Sequence, residues 1–326
     1  MGLSGVPAAV ACPHRDAERA VSSSTPSPLD RPELTQLEAR LVAMAQRFLA
    51  DRPPSRRTRG RPQVLPAMVL WTALTLGVLK GQIAQVGVWR LITERCWWDR
   101  GLIQVSKEAV YHRLNDADSA EMACFFADMT GVLLAERDAA PGFADLAPFA
   151  TGVYGLDEST LPTLAKRLPA LKALPAGNPD LLAGKLTATF DLRRHLFHSL
   201  LIQTKGRQNE RVAARGAIAT LPVGALVLCD LGYFGFAWFD DLEEAGYHYV
   251  SRFRAKTSYE TIEVLAEHGA TRDSLIWLGT HRADRAAHPV RLIEFTLNGT
   301  ERRYITNVRD PAMLSIRQVA ELYALR

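Results

Sequence analysis

Apolar positions recur at helical spacing through the first part of the chain. Between Glu33 and Leu49 they fall three or four residues apart, which predicts an amphipathic helix. Ser106 precedes a similar pattern, and a serine at that place can cap the free backbone N–H groups of a helix. The pattern predicts an all-helical N-terminal region, with further helices over 64–79, 82–93, 106–114 and 119–137.

After Pro148 the pattern changes to short apolar runs. Val153 to Leu156 is a β-like run that stops at Asp157. Residues 225–229 are all apolar and stop at Asp230, and such a continuous run is typical of a strand buried on both faces. Both aspartates are therefore expected at strand ends.

A hairpin and two helices are predicted around these runs. Residues 186–192 and 195–203 are β-like and are joined at Arg193 and Arg194, which indicates two antiparallel strands. Helices are predicted over 208–220 and 234–245, with a strand over 247–253. Strands and helices alternate in this way in mixed α/β domains.

The last part of the chain predicts more strands and one helix. Short β-like runs fill 256–308, and Asn298-Gly299 is the sequence of a tight hairpin turn. Ser315 opens a helix that is expected to continue to Arg326. The resulting division is a Pro- and Ser-rich disordered tail (1–32), a helical N-terminal domain (33–147) and an α/β core (148–326) with a β-rich insertion at about 256–309.

The composition is that of an ordinary globular chain and adds few constraints. Lysines and arginines number 39 against 35 acidic residues, giving a net charge of +4, which is compatible with nucleic-acid binding without indicating it. The four cysteines lack CxxC spacing, so neither a zinc site nor a disulfide framework is expected. The longest apolar stretch contains Pro66 and falls short of the roughly 20 residues of a membrane span. We expect a cytoplasmic protein without membrane contact.

Asp157 and Asp230 share a context that suggests chemistry. Ligands collect beyond the carboxyl ends of strands in an open sheet. Two aspartates there would form a hard-oxygen site for Mg²⁺ or Mn²⁺. Two such ions can activate an attacking oxygen and stabilise a leaving oxygen in phosphoryl transfer. The pattern alone favours a simpler interpretation, since an aspartate after a strand is most often a turn former or helix N-cap.

Two motifs change that interpretation. Tyr154-Gly155-Leu156-Asp157-Glu158-Ser159-Thr160-Leu161 resembles the first-aspartate motif of the IS4 family of DDE transposases. Cys229-Asp230-Leu231-Gly232-Tyr233-Phe234 resembles the second motif of that family, which commonly reads Asp-x-Gly-Tyr-Phe. The resemblance covers roughly Pro148 to Arg326.

The third motif of the family, Tyr-x2-Arg-x3-Glu-x6-Lys, is matched only in its first half, by Tyr323 and Arg326. Its glutamate would fall four residues beyond Arg326. Glu321 is half a helical turn out of phase with that position, so it is no substitute. The resemblance therefore implies a chain cut off before the third catalytic carboxylate, with impaired catalysis.

The resemblance also implies a fold and a reaction. The fold would be an RNase H-like core, with Asp157 on the first strand and Asp230 after the fourth. Both aspartates would bind Mg²⁺ or Mn²⁺ and catalyse cleavage at insertion-sequence ends and strand transfer to target DNA. Tyr323 and Arg326 would contact DNA phosphates near the cut. The implied partner is double-stranded DNA, at terminal inverted repeats and at target sites, bound by a possible homodimer.

Two N-terminal features suggest DNA contact. Arg59-Gly60-Arg61-Pro62 has the core sequence of an AT-hook, whose arginines enter a narrow minor groove, although a flexible basic linker has the same composition. Residues 106–114 could form a recognition helix with Lys107, His112 and Arg113 outward and Ala109, Val110 and Leu114 on the inner side. A plain surface helix fits that pattern equally well.

Two other functions fit the same residues. One is a protein that binds transposon ends without cutting and represses the full-length enzyme. The other is a metal-dependent nuclease or hydrolase unrelated to transposition.

Overall fold

The computed structural model describes residues 32–51, 65–82, 84–94, 102–116, 119–165, 173, 175, 178, 184–203, 210–279 and 285–326. Apart from Pro32, the tail predicted over 1–32 lies outside these residues. Arg59 and Arg61 also lie outside them.

The helices predicted in the N-terminal part are present. They are α1 (Pro32–Asp51), α2 (Ala67–Leu79), α3 (Gln85–Thr93), α4 (Lys107–Asn115) and α5 (Ser119–Glu136). Their apolar faces share one hydrophobic cluster, in which Leu70, Leu76 and Ile92 are almost completely buried. Helix α5 also contacts the sheet described below.

Helix α2 is apolar on most sides, and the cluster surrounds it. Its two threonines satisfy their hydroxyl groups within the helix, which makes burial of these polar groups tolerable. Thr72 donates to the carbonyl of Met68 at 2.7 Å and Thr75 to that of Trp71 at 2.8 Å. Within the described ranges, no helix combines the length and the apolar character that crossing a membrane requires.

Helix α4 begins as its sequence predicts. The Ser106 hydroxyl accepts a hydrogen bond from the Ala109 backbone N–H at 3.2 Å. Val110 is fully buried and Leu114 packs against the same cluster. The inward placement predicted for Ala109 is wrong, because one residue turns the helix by about 100° and carries Ala109 off the face of Val110 into solvent.

The outward placement predicted for α4 holds for two of its three basic residues. Lys107 and His112 are exposed. Arg113 is only partly exposed, and its guanidinium lies 3.2 Å from the Glu121 carboxylate on α5. This ion pair links α4 to α5.

The described strands of the second half form one nine-stranded sheet. They are β1 (Val153–Thr160), β2 (Lys185–Asp191), β3 (Leu196–Gln203), β4 (Leu226–Cys229), β5 (His248–Arg252), β6 (Tyr259–His268), β7 (Thr271–Leu278), β8 (Val290–Leu297) and β9 (Thr300–Thr306). Their order is β3-β2-β1-β4-β5-β9-β8-β7-β6. Strand β4 is parallel to β1 and β5, and the other pairs are antiparallel.

Helices connect or flank these strands, as expected for a mixed α/β fold. They are α6 (Leu161–Ala165), α7 (Glu210–Ile218), α8 (Phe236–Glu244) and α9 (Ile316–Ala324), with a 3-10 turn at Leu231–Tyr233. The final helix ends at Ala324, with Leu325 as its C-cap, so the predicted continuation to Arg326 is wrong.

The sheet has two apolar faces because side chains alternate along a strand. On β1 and β4, Tyr154, Leu156, Val227 and Cys229 join the cluster that contains α7 and α8 residues. Val153, Leu226 and Leu228 join the other cluster, which includes Val319 and Leu322 of α9. Continuing the alternation, Asp157 and Asp230 belong to the face that α9 covers.

The region predicted as a β-rich insertion extends this same sheet. Strands β6 to β9 are antiparallel to one another, and β9 pairs with β5. The predicted hairpin turn at Asn298-Gly299 is present, with φ angles of 53° and 72°. Positive φ at both central residues is the geometry for which asparagine and glycine are favoured.

Arg291 on β8 is completely buried and ties three segments together. Its Nε lies 2.7 Å and one Nη 2.5 Å from the two Asp273 carboxylate oxygens on β7. Its other Nη donates to the Leu314 carbonyl at 2.5 Å. Leu314 precedes Ser315, which begins α9 with a capping box shared with Gln318. The buried pair thereby fixes where α9 starts.

Replacing Arg291 should destabilise the protein strongly. In Arg291→Met the Asp273 carboxylate is left buried without its cation, which costs about 3–5 kcal/mol. Urea unfolding followed by far-UV circular dichroism measures the change. The double variant Arg291→Met/Asp273→Leu should recover much of the loss, because no isolated charge remains. A double variant no more stable than the single one would contradict the assigned role of the ion pair.

Candidate active site

Strand pairing brings Asp157 and Asp230 side by side. Strands β1 and β4 are parallel, with Val153 opposite Leu226 and Gly155 opposite Leu228. Two residues further along each strand, this register places Asp157 level with Asp230. Both belong to the face that α9 covers, so the two carboxylates share one edge and one side of the sheet.

The surroundings of the two aspartates differ. Asp230 follows β4 as predicted, and its carboxylate accepts the Leu231 N–H at 2.7 Å. Asp157 does not end its strand, so that prediction is wrong: β1 continues to Thr160 because β2 pairs with it along its length. Beyond the end of β4 the other edge of β1 is uncovered, and the Asp157 side chain is 69% exposed.

Helix α9 brings Tyr323 to the same edge. The Tyr323 hydroxyl donates to the Cys229 carbonyl at 3.2 Å, one residue before Asp230. Its ring packs on Tyr304 of β9 with centroids 4.7 Å apart. Burial, with a smaller effect of the Asp230 charge, raises the pKa of Tyr323 to about 12, so this group stays protonated at neutral pH. Tyr323 therefore acts as a hydrogen-bond donor here.

Arg326 lies between the two carboxylates. One Nη donates to Asp157 at 3.1 Å and to the Leu156 carbonyl at 3.2 Å. The other Nη is 3.9 Å from an Asp230 oxygen. The Arg326 side chain is 16% exposed, so solvent screens these interactions only in part. One guanidinium thus offsets part of the negative charge of two adjacent carboxylates.

The donor set at this edge fits a divalent cation. Two carboxylates with accessible oxygens already converge on one positive group, and carboxylate oxygens are the ligands that Mg²⁺ and Mn²⁺ prefer. In the described part of the chain, no three histidine, cysteine or acidic side chains lie together as a metal-holding group. Asp157 and Asp230 are therefore the residues that could hold such an ion.

Two other acidic residues of β1 and β2 have structural partners. Glu158 alternates to the opposite face of β1, where its carboxylate lies 2.6 Å from the Lys185 ammonium. Asp191 on the inner strand β2 accepts the backbone N–H groups of Arg193 and Arg194, both at 2.9 Å, and thereby shapes the hairpin turn.

Sequence reasoning assigned no role to Arg252, which lies in the same row. The register of β4 with β5 pairs Cys229 with Ser251, so Arg252 is level with Asp230. It is exposed and shares the face of Val250, in the cluster that includes α9 residues. An arginine at the end of a strand was the available signal, but only the pairing shows that it lies beside an aspartate.

Comparison with known proteins gives one family match. Residues 182–326 match the family described as "Transposase DDE domain". The match includes Asp230, Tyr323 and Arg326 but not Asp157. It supports the expectation of a DDE transposase and of a general role in DNA transposition. No curated protein matches the chain.

Among solved structures, the chain is similar to a piggyBac transposase in a synaptic complex with hairpin DNA. The TM-score is 0.37 and the sequence identity 10%. The similarity covers 89% of this chain and 63% of that transposase, so this chain spans less than two thirds of its length. At this TM-score the similarity carries no argument about fold or mechanism.

Removing the Tyr323 hydroxyl should cost a modest amount of stability. Tyr323→Phe loses the hydrogen bond to Cys229, worth about 0.5–1.5 kcal/mol. Tyr304→Phe is the matched control, because it removes the same atom from the neighbouring ring. Chemical denaturation at pH 7 measures both. An equal loss of stability in the two variants would show that the hydrogen bond from Tyr323 to Cys229 makes no measurable contribution of its own.

The effect of Tyr323→Phe should shrink at high pH. An ordinary tyrosine loses its proton near pH 10, whereas folding raises the pKa of Tyr323 to about 12. Unfolding therefore releases a proton between these values, and stability falls as the pH rises through this window. The difference in unfolding free energy between wild type and Tyr323→Phe should narrow above pH 9 and change sign before pH 12, because raising the pKa from 10 to about 12 corresponds to more than the roughly 0.5–1.5 kcal/mol of the hydrogen bond. Parallel profiles over this range would contradict the raised pKa.

Proposed function

We propose that this protein is a DDE transposase of the IS4 type, which cleaves DNA at insertion-sequence ends and transfers the free strand to a target. One observation carries the proposal. Asp157 and Asp230 lie level at the edge of two parallel strands, and α9 from the matched transposase domain covers the same edge. That arrangement combines two acidic ligands with DNA-directed basic and hydroxyl groups.

The order of the first five strands supports an RNase H-like core as part of this proposal. Strands β3, β2 and β1 form an antiparallel meander, and β4 and β5 continue it in parallel. The first acidic residue lies on β1 and the second directly after β4, as the resemblance implies. Strands β6 to β9 then correspond to the insertion that separates the second aspartate from α9.

In the proposed mechanism Asp157 and Asp230 would hold Mg²⁺ or Mn²⁺. Bound ions of this kind activate the attacking oxygen and stabilise the leaving oxygen in phosphoryl transfer. Tyr323 and Arg326 would bind the phosphate next to the scissile bond, through one hydroxyl and one guanidinium. While no metal ion is bound, the Arg326 guanidinium also reduces the electrostatic repulsion between the two carboxylates.

The partners and location follow from the same proposal. Double-stranded DNA would be bound at terminal inverted repeats and at target sites, with residues 33–147 and the arginines at 59 and 61 helping to recognise the ends. The enzyme would act on the nucleoid in the cytoplasm, as a homodimer that holds two ends.

A second function is a non-cleaving protein that occupies transposon ends and represses cleavage. It is favoured by the position of Arg326, whose guanidinium already bonds to the Asp157 carboxylate and lies 3.9 Å from that of Asp230. The two functions differ in whether divalent cations bind at Asp157 and Asp230 and whether the bound DNA is cut.

Metal binding is the first test of the proposal. Mn²⁺ titration by calorimetry should show a site whose affinity falls by about tenfold or more in Asp157→Asn and in Asp230→Asn, because each change removes a charged ligand. Asp145→Asn, at an exposed position away from the site, is the control and should bind Mn²⁺ like wild type. Equal Mn²⁺ affinity in wild type and in all three variants would contradict the assignment of the metal site.

Cleavage separates the enzyme from the repressor. The transposase should cleave terminal-repeat DNA in the presence of Mg²⁺, and Asp157→Asn and Asp230→Asn should abolish or strongly reduce this cleavage, because each change removes a ligand for the ion. Asp145→Asn is again the control and should cleave like wild type. Gel-shift binding of the same DNA should persist and weaken with added salt. Salt-sensitive binding of terminal-repeat DNA by wild type without Mg²⁺-dependent cleavage would contradict the enzyme and favour the repressor.

A further inference from the structure

A cavity of about 570 Å³ opens on the α7 and α8 side of the sheet, opposite the face that α9 covers. It lies next to the turn that follows Asp230, between the start of α8, the loop after β5 and the segment before β8. No step of the proposed mechanism uses it. Its lining residues are Arg211, Phe234, Gly235, Phe236, Ala237, Asp240, Arg254, Ala255, Lys256, Thr257 and Arg285.

The charges of this lining are unbalanced. Four basic residues, Arg211, Arg254, Lys256 and Arg285, face one acidic residue, Asp240. The Asp240 carboxylate is already engaged, because it accepts the backbone N–H groups of Ala287 and His288 at 2.9–3.1 Å. The cavity therefore presents a surplus of positive charge to whatever enters it.

Neutral groups hold two of these cations in place. Arg254 donates to the Leu231 carbonyl at 3.1 Å, and its guanidinium lies 5.2 Å from the centre of the Phe234 ring. The Arg285 guanidinium stacks on the Trp277 ring at 4.3 Å. Carbonyl and aromatic partners orient a guanidinium without neutralising it, so both keep their charge available for an anion.

Gly235 makes room for the third guanidinium. A Cβ atom at this position would lie 2.6 Å from the nearest Arg211 nitrogen, which is too close. The φ angle of −176° is extended backbone that any residue can adopt, so the need for glycine here is steric. The absent side chain allows Arg211 to reach the backbone, where it bonds to the Phe234 carbonyl at 3.4 Å.

We propose that this cavity binds the phosphodiester backbone of the DNA strand that continues past the cleavage point. The inference rests on the proposed function and adds a binding site to it. Arg254 is bonded to Leu231, the residue after Asp230, so a strand held at the aspartates has the cavity within its reach. Backbone phosphates spaced along one strand suit several fixed guanidiniums better than one compact anion does.

Charge removal tests the proposal through DNA binding in EDTA, where no cleavage occurs. The double variant Arg254→Gln/Lys256→Gln should lower the slope of log K against log salt by about 0.9 for each DNA phosphate that the protein no longer neutralises. The control Arg309→Gln/Arg317→Gln removes the same charge from exposed positions outside both the cavity and residues 33–147. Its slope should equal that of wild type, and an equal fall in both double variants would overturn the proposal.

A second pair of variants tests the geometry without changing the charge. Gly235→Ala should displace Arg211 and weaken DNA binding several-fold. Gly216→Ala on α7, where an added Cβ meets only an ordinary contact with the Leu201 side chain at 3.6 Å, should leave DNA binding unchanged. Circular dichroism and thermal unfolding confirm that both variants fold. Equal DNA binding by the folded Gly235→Ala protein and by wild type would show that Arg211 takes no part in binding DNA.

Remaining outcomes separate this proposal from the proposed function. If Asp157→Asn loses Mn²⁺ while the cavity variants bind DNA like their controls, the active-site assignment stands and the cavity assignment falls. If the cavity variants lose DNA binding while Mn²⁺ affinity does not depend on Asp157, the cavity assignment stands and the active-site assignment falls. Tight binding of a mononucleotide that is lost in Arg254→Gln/Lys256→Gln, with DNA binding unchanged, would make the cavity a nucleotide pocket and overturn the proposal.

Discussion

Strand β4 is the constraint on which the candidate site depends. Its four residues are completely buried, and parallel strands are hydrogen-bonded to it on both edges. Neither its register nor the face to which each side chain points can therefore change. A slip of one residue would turn Asp230 to the other face of the sheet and bury the wrong side chains. The same register brings Asp157 and Arg252 level with Asp230. Two acidic groups and one basic group are therefore positioned by backbone pairing rather than by contacts among themselves.

Charges near this edge are managed in two different ways. In the interior, Arg291 and Asp273 neutralise each other, and the spare donors of Arg291 bind the carbonyl that precedes α9. At the surface, Arg326 balances Asp157 and Asp230 while all three stay in contact with solvent. The first arrangement is costly to disturb and anchors the helix. The second can exchange partners, which is what a site for cations and phosphates requires.

Much of the fold could be predicted because its signals are local. Helical spacing located α1 to α5, Ser106 and Ser315 marked helix starts, and Asn298-Gly299 located a hairpin. The errors also have local causes. Asp157 was expected at a strand end because the apolar run stops there, yet pairing with β2 carries β1 on to Thr160. Ala109 was assigned to a buried face that is too narrow to include it.

By itself, the sequence determined which residues are candidates for the chemistry: Asp157, Asp230, Tyr323 and Arg326 stand in motifs that can be read along the chain. It also determined the strand and helix types, because hydrophobic period and capping act over a few residues. Only the tertiary structure decided that Arg326 lies between the two aspartates, that Arg252 joins their row, and that Arg211, Arg254, Lys256 and Arg285 surround one cavity. These relations join residues far apart in sequence, and they depend on strand order and helix packing, which no local pattern encodes.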